Sequence, residues 1–434
     1  MAGTTGLGTA GSDFGGLGDA LKQNYDKPFE NNMEGETEVW SALEKAEGFE
    51  ITKEAGDGKG IIIDHTFSYG GGVYMMNEND YFGGSAQPTV VQSTTTVPTL
   101  AAVAQMSGRV MRRMGSDKVA FANWAETMLP KRAKRAAFHL DRQVLGTGTG
   151  IIGRMSAVTG TNDAITAAFG ISGLSGAAKL LQRGDRTRWS PNANGSSPRT
   201  GLAEIASKPN ITSGTISVLA VPTSAASNDY VFLGDTQVVS AAKDIMGLEG
   251  IIDDGTNVST LQSLSRSSYP EFNAQIIDST SGTFGAVLSE ELIDYADSLC
   301  FENGDGGQPN LIIASRSGHR SFWKSLKADR VLSNPQGVYQ GGKKALEMVV
   351  GDRVVKVVPC RKCPDSRAYG IDTTAIKRVE IGAGGWVNTT GAVFKQVSDS
   401  TGYQDAYVAH YIREVQVVAY DPSKCWKATG LASA

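Results

Sequence analysis

The sequence predicts an α+β chain built around one long helix, and three observations carry that prediction. A single apolar stripe runs through "SDKVAFANWAETMLPKRAKRAAFHLDRQVL", residues 116–145, where Ala133, Ala136, Ala137, Leu140 and Val144 recur at helical spacing. A helix–strand–helix–strand order follows in "SEELIDYADSLCFENG", "PNLIIAS", "RSGHRSFWKSLKADR" and "VVGDRVVKVVPC". Elsewhere short apolar runs alternate with turns, a pattern that 52 glycines in 434 residues make easy.

At roughly 100–200 residues per domain, this length corresponds to two or three compact units. The composition, 40% hydrophobic and 20% charged, is that of a globular chain with a sizeable core. A net charge of -4 argues against a dedicated nucleic-acid binder. The opening "MAGTTGLGTAGSDFGGLGDA" has no basic region followed by an apolar core, so no secretory signal is expected. No run of about 18 apolar residues is present to cross a bilayer, and a cytoplasmic compartment is expected. The four cysteines fit that compartment. Cys360 and Cys363 have metal or redox spacing, but no second pair accompanies them and Pro364 follows. Reduced cysteines in a strand and turn are the simpler reading.

Residues 1–33 are rich in small residues and poor in apolar anchors. "ETEVWSALEKAEG" then predicts a short helix with Val39, Trp40, Leu43 and Ala46 on one side and Gly48 as its stop. "GFEITKE", "GIIIDHTFSYGGGVYMM" and "PTVVQSTTTV" read as a β-excursion too thin to enclose its own core. Ser116 or Asp117 can cap the long helix, Gly146 can end it, and Pro130 removes one backbone donor near its middle. Lys131, Lys134, Arg135 and Arg142 are expected on its other side. Residues 175–240 read as a small β insertion. Within it, Arg183, Arg186 and Arg188 beside Trp189 are either a single-strand nucleic-acid platform or, more simply, a salt-bridged strand end. "SNPQGVYQGGKKA", with Pro335, Gly337, Gly341 and Gly342, is a long polar loop. "DAYVAHYIREVQVVAYDPSKCWKATG" gives two extended runs around a turn at Asp421 and Pro422.

"LGTGTGIIGR" places Gly148, Gly150 and Gly153 in the spacing of a dinucleotide-binding turn. That motif needs a strand before it and a helix after it, and here a helix precedes and an extended segment follows. The glycines read instead as a hinge at Gly146, Gly148 and Gly150 where the chain leaves the helix. His65, His139, His319 and His410 have no paired spacing; His319, near Ser315, Ser317 and Ser321, reads as a solvent-facing histidine. No hydrolase elbow, zinc-protease motif or phosphate loop occurs, so no catalytic, cofactor or metal site is expected.

The run "HLDRQVLGTGTG", residues 139–150, resembles the end of the spine helix in major capsid proteins of tailed bacteriophages, a fold shared with encapsulins. "EVQVVAYDPSKCWKATG" is similar to that family's terminal strands, and "RKCPDSRAYGID" to the loop and strand before them. The resemblance implies an N-terminal arm at 1–48, an E-loop at 49–107 and a P-domain spine at 108–150. It further implies an A-domain at 151–396, with 175–240 inserted, and P-domain strands at 397–434. It implies a non-enzymatic coat protein whose hexamers and pentamers close an icosahedral phage head around double-stranded DNA in the host cytoplasm. Its implied partners are further copies of the chain, separate scaffold and portal proteins and a decoration protein, with no membrane. An encapsulin-like compartment shares the fold, and an oxidoreductase using Gly148–Gly153 is the remaining alternative. On this resemblance Lys131, Lys134, Arg135 and Arg142 would face either packaged DNA or a neighbour's acidic arm, which offers Glu34, Glu36, Glu38, Glu44, Glu47 and Glu50.

Overall fold

The computed structural model describes residues 29–31, 33, 36–46, 50–53, 59–71, 73–78, 81, 84–109, 118–158, 160, 162–167, 177–211, 213–234, 244–280, 284–329, 346–350, 353–387, 393–399 and 402–432. The arm before Phe29, the caps at Ser116 and Asp117, the stop at Gly48 and the loop at 330–345 lie outside them.

The predicted helix around Trp40 is only a 3-10 turn, Trp40–Ala42, although Val39, Trp40, Leu43 and Ala46 are all buried. Its continuation is lost because the backbone at Glu44 and Ala46 bonds to Arg378 as a short extended bridge. The excursion consists of β1 (Glu50–Lys53), β2 (Lys59–Ser68) and β3 (Thr89–Thr96), paired antiparallel in that order. β4 (Thr99–Ser107) follows; "TLAAVAQMS" carries too many alanines to announce a strand by alternation. The long helix is α1 (Lys118–Val144), with Pro130 inside it and all five residues of the predicted stripe buried.

After the glycine turn come β5 (Ile151–Ala157), β6 (Asn162–Ala167), β7 (Arg186–Ser190), β8 (Ala203–Glu204), β9 (Thr215–Ser217) and β10 (Tyr230–Leu233). They form one antiparallel sheet in the order β8-β7-β10-β5-β6-β9. The β-rich stretch is therefore continuous with β5 and β6 rather than a sheet of its own. Trp189 and Arg188 show why the nucleic-acid reading fails there. Trp189 is fully buried, and Arg188 donates to the carbonyls of Arg199 and Gly201.

A single helical turn, α2 (Leu248–Ile251), and the hairpin β11 (Thr260–Leu261) and β12 (Leu264–Ser265) lead to β13 (Gln275–Asp278). Next are α3 (Glu290–Asn303), β14 (Leu311–Ser315) and α4 (Arg316–Asp329). Ser289 caps α3 by accepting the Leu292 amide. The chain continues through β15 (Leu346–Val350), β16 (Arg353–Cys360) and β17 (Ala368–Ile371). It closes with β18 (Ile376–Trp386), β19 (Lys395–Asp399), β20 (Gly402–Ala419) and β21 (Trp426–Thr429).

The chain divides into two compact units. The first takes the described residues up to Ala42, Pro98–Arg142 and Val379–Gln416. In it β20 is flanked by β4 along 406–414 and by β19 along 402–408. Phe29, Trp386 and Tyr411 form an aromatic cluster with centroids 4.5–5.6 Å apart. The buried Arg413 lies 3.4 Å from Glu30 and 2.9 Å from Glu380.

The second unit takes Leu43–Val97, Gln143–Arg378 and Val417–Ala434. Its largest core lies under a mixed sheet ordered β13-β21-β17-β14-β16-β15. The pairs β13·β21 and β14·β16 are parallel, which requires crossovers, and α3 and α4 supply helical cover. Leu292, Ile293, Ala296, Cys300 and Phe322 from the two helices share that core with Ile312, Val357 and Trp426. A separate core, including Ile152, Met155, Trp189 and Val231, sits on the β5–β10 sheet.

Candidate functional site

The predicted basic face of α1 divides. Lys131 and Lys134 are exposed, Arg135 is half-buried and Arg142 is 5% exposed. Arg142 therefore does not line a solvent-facing stripe with the others. At about 100° per residue it shares their side of the helix, but the last turns of α1 are covered all round. Lys134 pairs with Glu36 of the same chain at 3.0 Å, both partners well exposed.

Asp141, one residue before Arg142, is fully buried. Its carboxylate accepts the backbone amides of Glu38 at 2.7 Å, Val39 at 3.2 Å and Trp40 at 3.1 Å. It thereby satisfies amides that the start of a turn leaves open. An acidic residue near the end of a helix opposes the helix dipole, and its place beside Leu140 and Val144 was the one sequence sign of a special role.

The glycine turn is held by a second glycine-rich segment that the spacing did not reveal. Gly148 and Gly150 have φ of 80° and 77°, while Gly146 and Gly153 do not enter the left-handed region. Gly153 lies within β5, paired antiparallel with β6 and β10, so no βαβ unit surrounds the motif. A Cβ on Gly247 would come within 2.4 Å of the Gln143 carbonyl and 2.5 Å of that of Val144. The Gly250 amide donates to the Gly146 carbonyl at 3.3 Å, and Met246 lies over Gly148. The end of the spine is thus clamped by residues 246–250.

The excursion has two parts. Along β2, Ile61, Ile63 and His65 are buried on one face, while Asp64, Thr66 and Ser68 are exposed. That face is covered within the same unit: Phe67 stacks on Tyr269 at 5.0 Å, and His65 meets Phe272 edge-on at 4.8 Å. His65 Nδ1 is 2.9 Å from the Tyr420 carbonyl and Nε2 is 2.7 Å from Ser93 Oγ. Burial lowers the His65 pKa, against the raising influence of the Tyr420 carbonyl, Asp421 and Asp64. The expectation that these strands bury themselves elsewhere thus holds within the chain at the base. Beyond it, Tyr69 is 82% exposed, Val73 103%, Met75 101% and Tyr81 96%. Together these four form the most exposed group of large apolar side chains among the described residues.

Buried charge is concentrated around α2. Lys427 lies 3.2 Å from Glu249 and 3.2 Å from Asp253, all three almost fully buried. Tyr369 donates to Glu249 at 2.6 Å. Asp253 also accepts the amides of Gly255, Asn257 and Val258 and the Asn257 side chain. Burial opposes its ionisation, yet these donors and Lys427 bring its pKa down to about 2. Arg266 donates to the carbonyls of Gly250, Ile251, Asp253 and Phe272, and burial lowers its pKa to about 10. Every donor and acceptor in the cluster faces another protein group, which makes it an anchor for α2 and β21.

The candidate reactive residues do not assemble. Cys360 and Cys363 are buried free thiols, at the end of β16 and in the following turn, and burial pushes the Cys363 pKa well above its ordinary value. Among the described residues no group of three or more His, Cys, Asp and Glu side chains could hold a metal ion. His319 is half-buried rather than solvent-facing, and burial and Arg316 both lower its pKa. Ser317 donates to Asp365 and shares a hydrogen bond with Ser315. No described helix is long and apolar enough to cross a membrane.

No protein-family model matches the chain. No curated protein matches its sequence. Among solved structures, the capsid of cyanophage A-1(L) is similar over 86% of this chain and 88% of its own, at 10% identity and a TM-score of 0.46. The capsid of an empty GTA particle is similar over 92% and 90%, at 8% identity and a TM-score of 0.41. A holo-encapsulin complex from Synechococcus elongatus is similar over 91% and 88%, at 7% identity and a TM-score of 0.39.

Proposed function

We propose that the chain is a shell-forming coat protein, the major capsid protein of a tailed phage, which closes as hexamers and pentamers into an icosahedral head around double-stranded DNA. The observation that carries this reading is the excursion. Its base is anchored in its own unit, and it presents Tyr69, Val73, Met75 and Tyr81 to solvent. A contiguous apolar group on an ordered projection is an association surface waiting for a neighbour. The sequence resemblance, in element order from spine to terminal strands, points the same way.

In this reading residues 1–48 are the arm, 49–107 the E-loop, 108–150 the spine, 151–396 the A-domain and 397–434 the terminal P-domain strands. Lys131, Lys134 and Arg135 face a neighbouring subunit in preference to DNA, since Lys134 already engages an arm glutamate. The spine-end hinge of Gly146, Gly148 and Gly150 turns the chain into β5. Separate scaffold and portal proteins, a decoration protein and non-specifically held DNA complete the set of partners, with assembly in the host cytoplasm.

Sedimentation and negative-stain microscopy of the purified chain test the proposal. Closed polyhedral shells are the expected result, and a monomer at every concentration overturns it. Nuclease-protected DNA inside shells recovered from cells marks a phage head; a protein cargo instead marks an encapsulin-like compartment.

A further inference from the structure

Two neighbouring helices of the second unit carry opposite charge on their outer faces. On α3, Leu292, Ile293, Ala296 and Cys300 point into the core. The opposite side presents Glu290, Glu291, Asp294 and Glu302 with Tyr295 at 45% and Phe301 at 60% exposure. On α4, Phe322 and Ser321 are buried, and Arg316, Arg320 and Lys324 stand exposed at i, i+4 and i+8 as one basic row. Among the described residues none of these outer charges has an ion-pair partner. The contrast lies on the same helix: Asp297, on the flank of α3, is mostly buried and paired with Arg353. Acids that serve the fold are paired, and the outer ones are left over.

We infer that the acidic, aromatic face of α3 docks on the basic face of α4 of a second copy of the chain. Charge complementarity selects this occupant, because each copy carries both halves of the contact. Two different patches meeting head to tail form a heterologous interface, which closes into a ring when the rotation allows. Tyr295 and Phe301 supply the apolar centre, and the charged rows set register and exclude the mirrored pairing of like faces. DNA would also attract the α4 row, but it would be repelled by the acids of α3, so a strand running across both helices is disfavoured.

The inference rests on the reading of the chain as a self-assembling subunit, and charge reversal separates the two. Arg320→Glu with Lys324→Glu makes both faces acidic; Glu291→Lys with Asp294→Lys makes both basic. Each double variant alone is expected to associate about tenfold more weakly or worse in sedimentation, since like charges then face each other. An equimolar mixture of the two is expected to recover association, because acidic and basic copies can alternate around an even-numbered ring. Recovery in the mixture also shows that both variants fold. Undiminished association of either variant alone, or no recovery in the mixture, overturns this contact while leaving shell formation by the unaltered chain intact. An unaltered chain that stays monomeric overturns both readings.

Discussion

At the scale of single residues, the strongest constraints come from side chains whose partners lie far away in sequence. Asp141 receives three amides from residues about a hundred positions earlier, and no local pattern announces such a pairing. Asp141→Ala leaves those amides without their acceptor in a mostly buried place, and the first unit should lose roughly 3 kcal/mol of stability in urea denaturation. Asp141→Asn, which keeps one acceptor oxygen, should lose clearly less. Asp253 carries a pH dependence of definite sign. Its pKa falls from 3.8 to about 2 on folding. The stabilisation is therefore fully present above the ordinary carboxylate value and disappears as the pH drops through about 2. Its size is roughly 2 kcal/mol. His65 acts in a higher window. Burial lowers its pKa from 6.5, so above that value the ring is neutral in both folded and unfolded chain. As the pH falls below it, the unfolded chain takes up the proton first and the fold loses stability. Melting between pH 7.5 and 5.5 should show that loss, and His65→Gln should flatten it; an unchanged pH profile in the variant would remove His65 from this role.

Among the elements, legibility followed locality. The spine was readable because its apolar stripe repeats over a single continuous segment, and α3 was readable down to its Ser289 cap. The 3-10 turn at Trp40 was misread as a helix because the backbone bridge to Arg378 that stops it is invisible from the local periodicity. β4 escaped notice for want of alternation, and the sheet order did so because β13 pairs with β21 about 150 residues later. The glycine motif was half readable: its freedom was expected at Gly146, but the left-handed backbone is at Gly148 and Gly150. Gly146→Ala should accordingly be tolerated better than Gly148→Val, which meets both a positive φ and the Met246 side chain. Gly247→Ala should be the most damaging of the three, because its Cβ would abut two backbone carbonyls that cannot move aside. Differences in melting temperature among the three variants check that ranking. Pro130→Ala restores a backbone donor to the spine. Unchanged assembly and expansion in that variant would remove Pro130 from any part in shell rearrangement.

For the molecule as a whole, the division between anchored base and exposed tip in the excursion separates folding from association. Val73→Asp with Met75→Asp removes apolar surface that touches nothing in the single chain, so the melting temperature should barely change while shell yield collapses. A parallel fall in both would mean that the tip belongs to the fold of the subunit. The position of β21 has a different consequence, one of timing. That strand lies between β13 and β17, and Lys427 on it completes the charge cluster around Glu249 and Asp253. On the ribosome the sheet stays split until residue 429 has emerged, with β13 lacking its neighbour and two carboxylates lacking their cation. The second unit is thus completed after, and not during, synthesis of the β5–β10 sheet, which needs nothing beyond Leu233 for its own pairing. A nascent chain cannot finish the surface carried by α3 and α4 early, and copies translated side by side are kept from joining before each is whole.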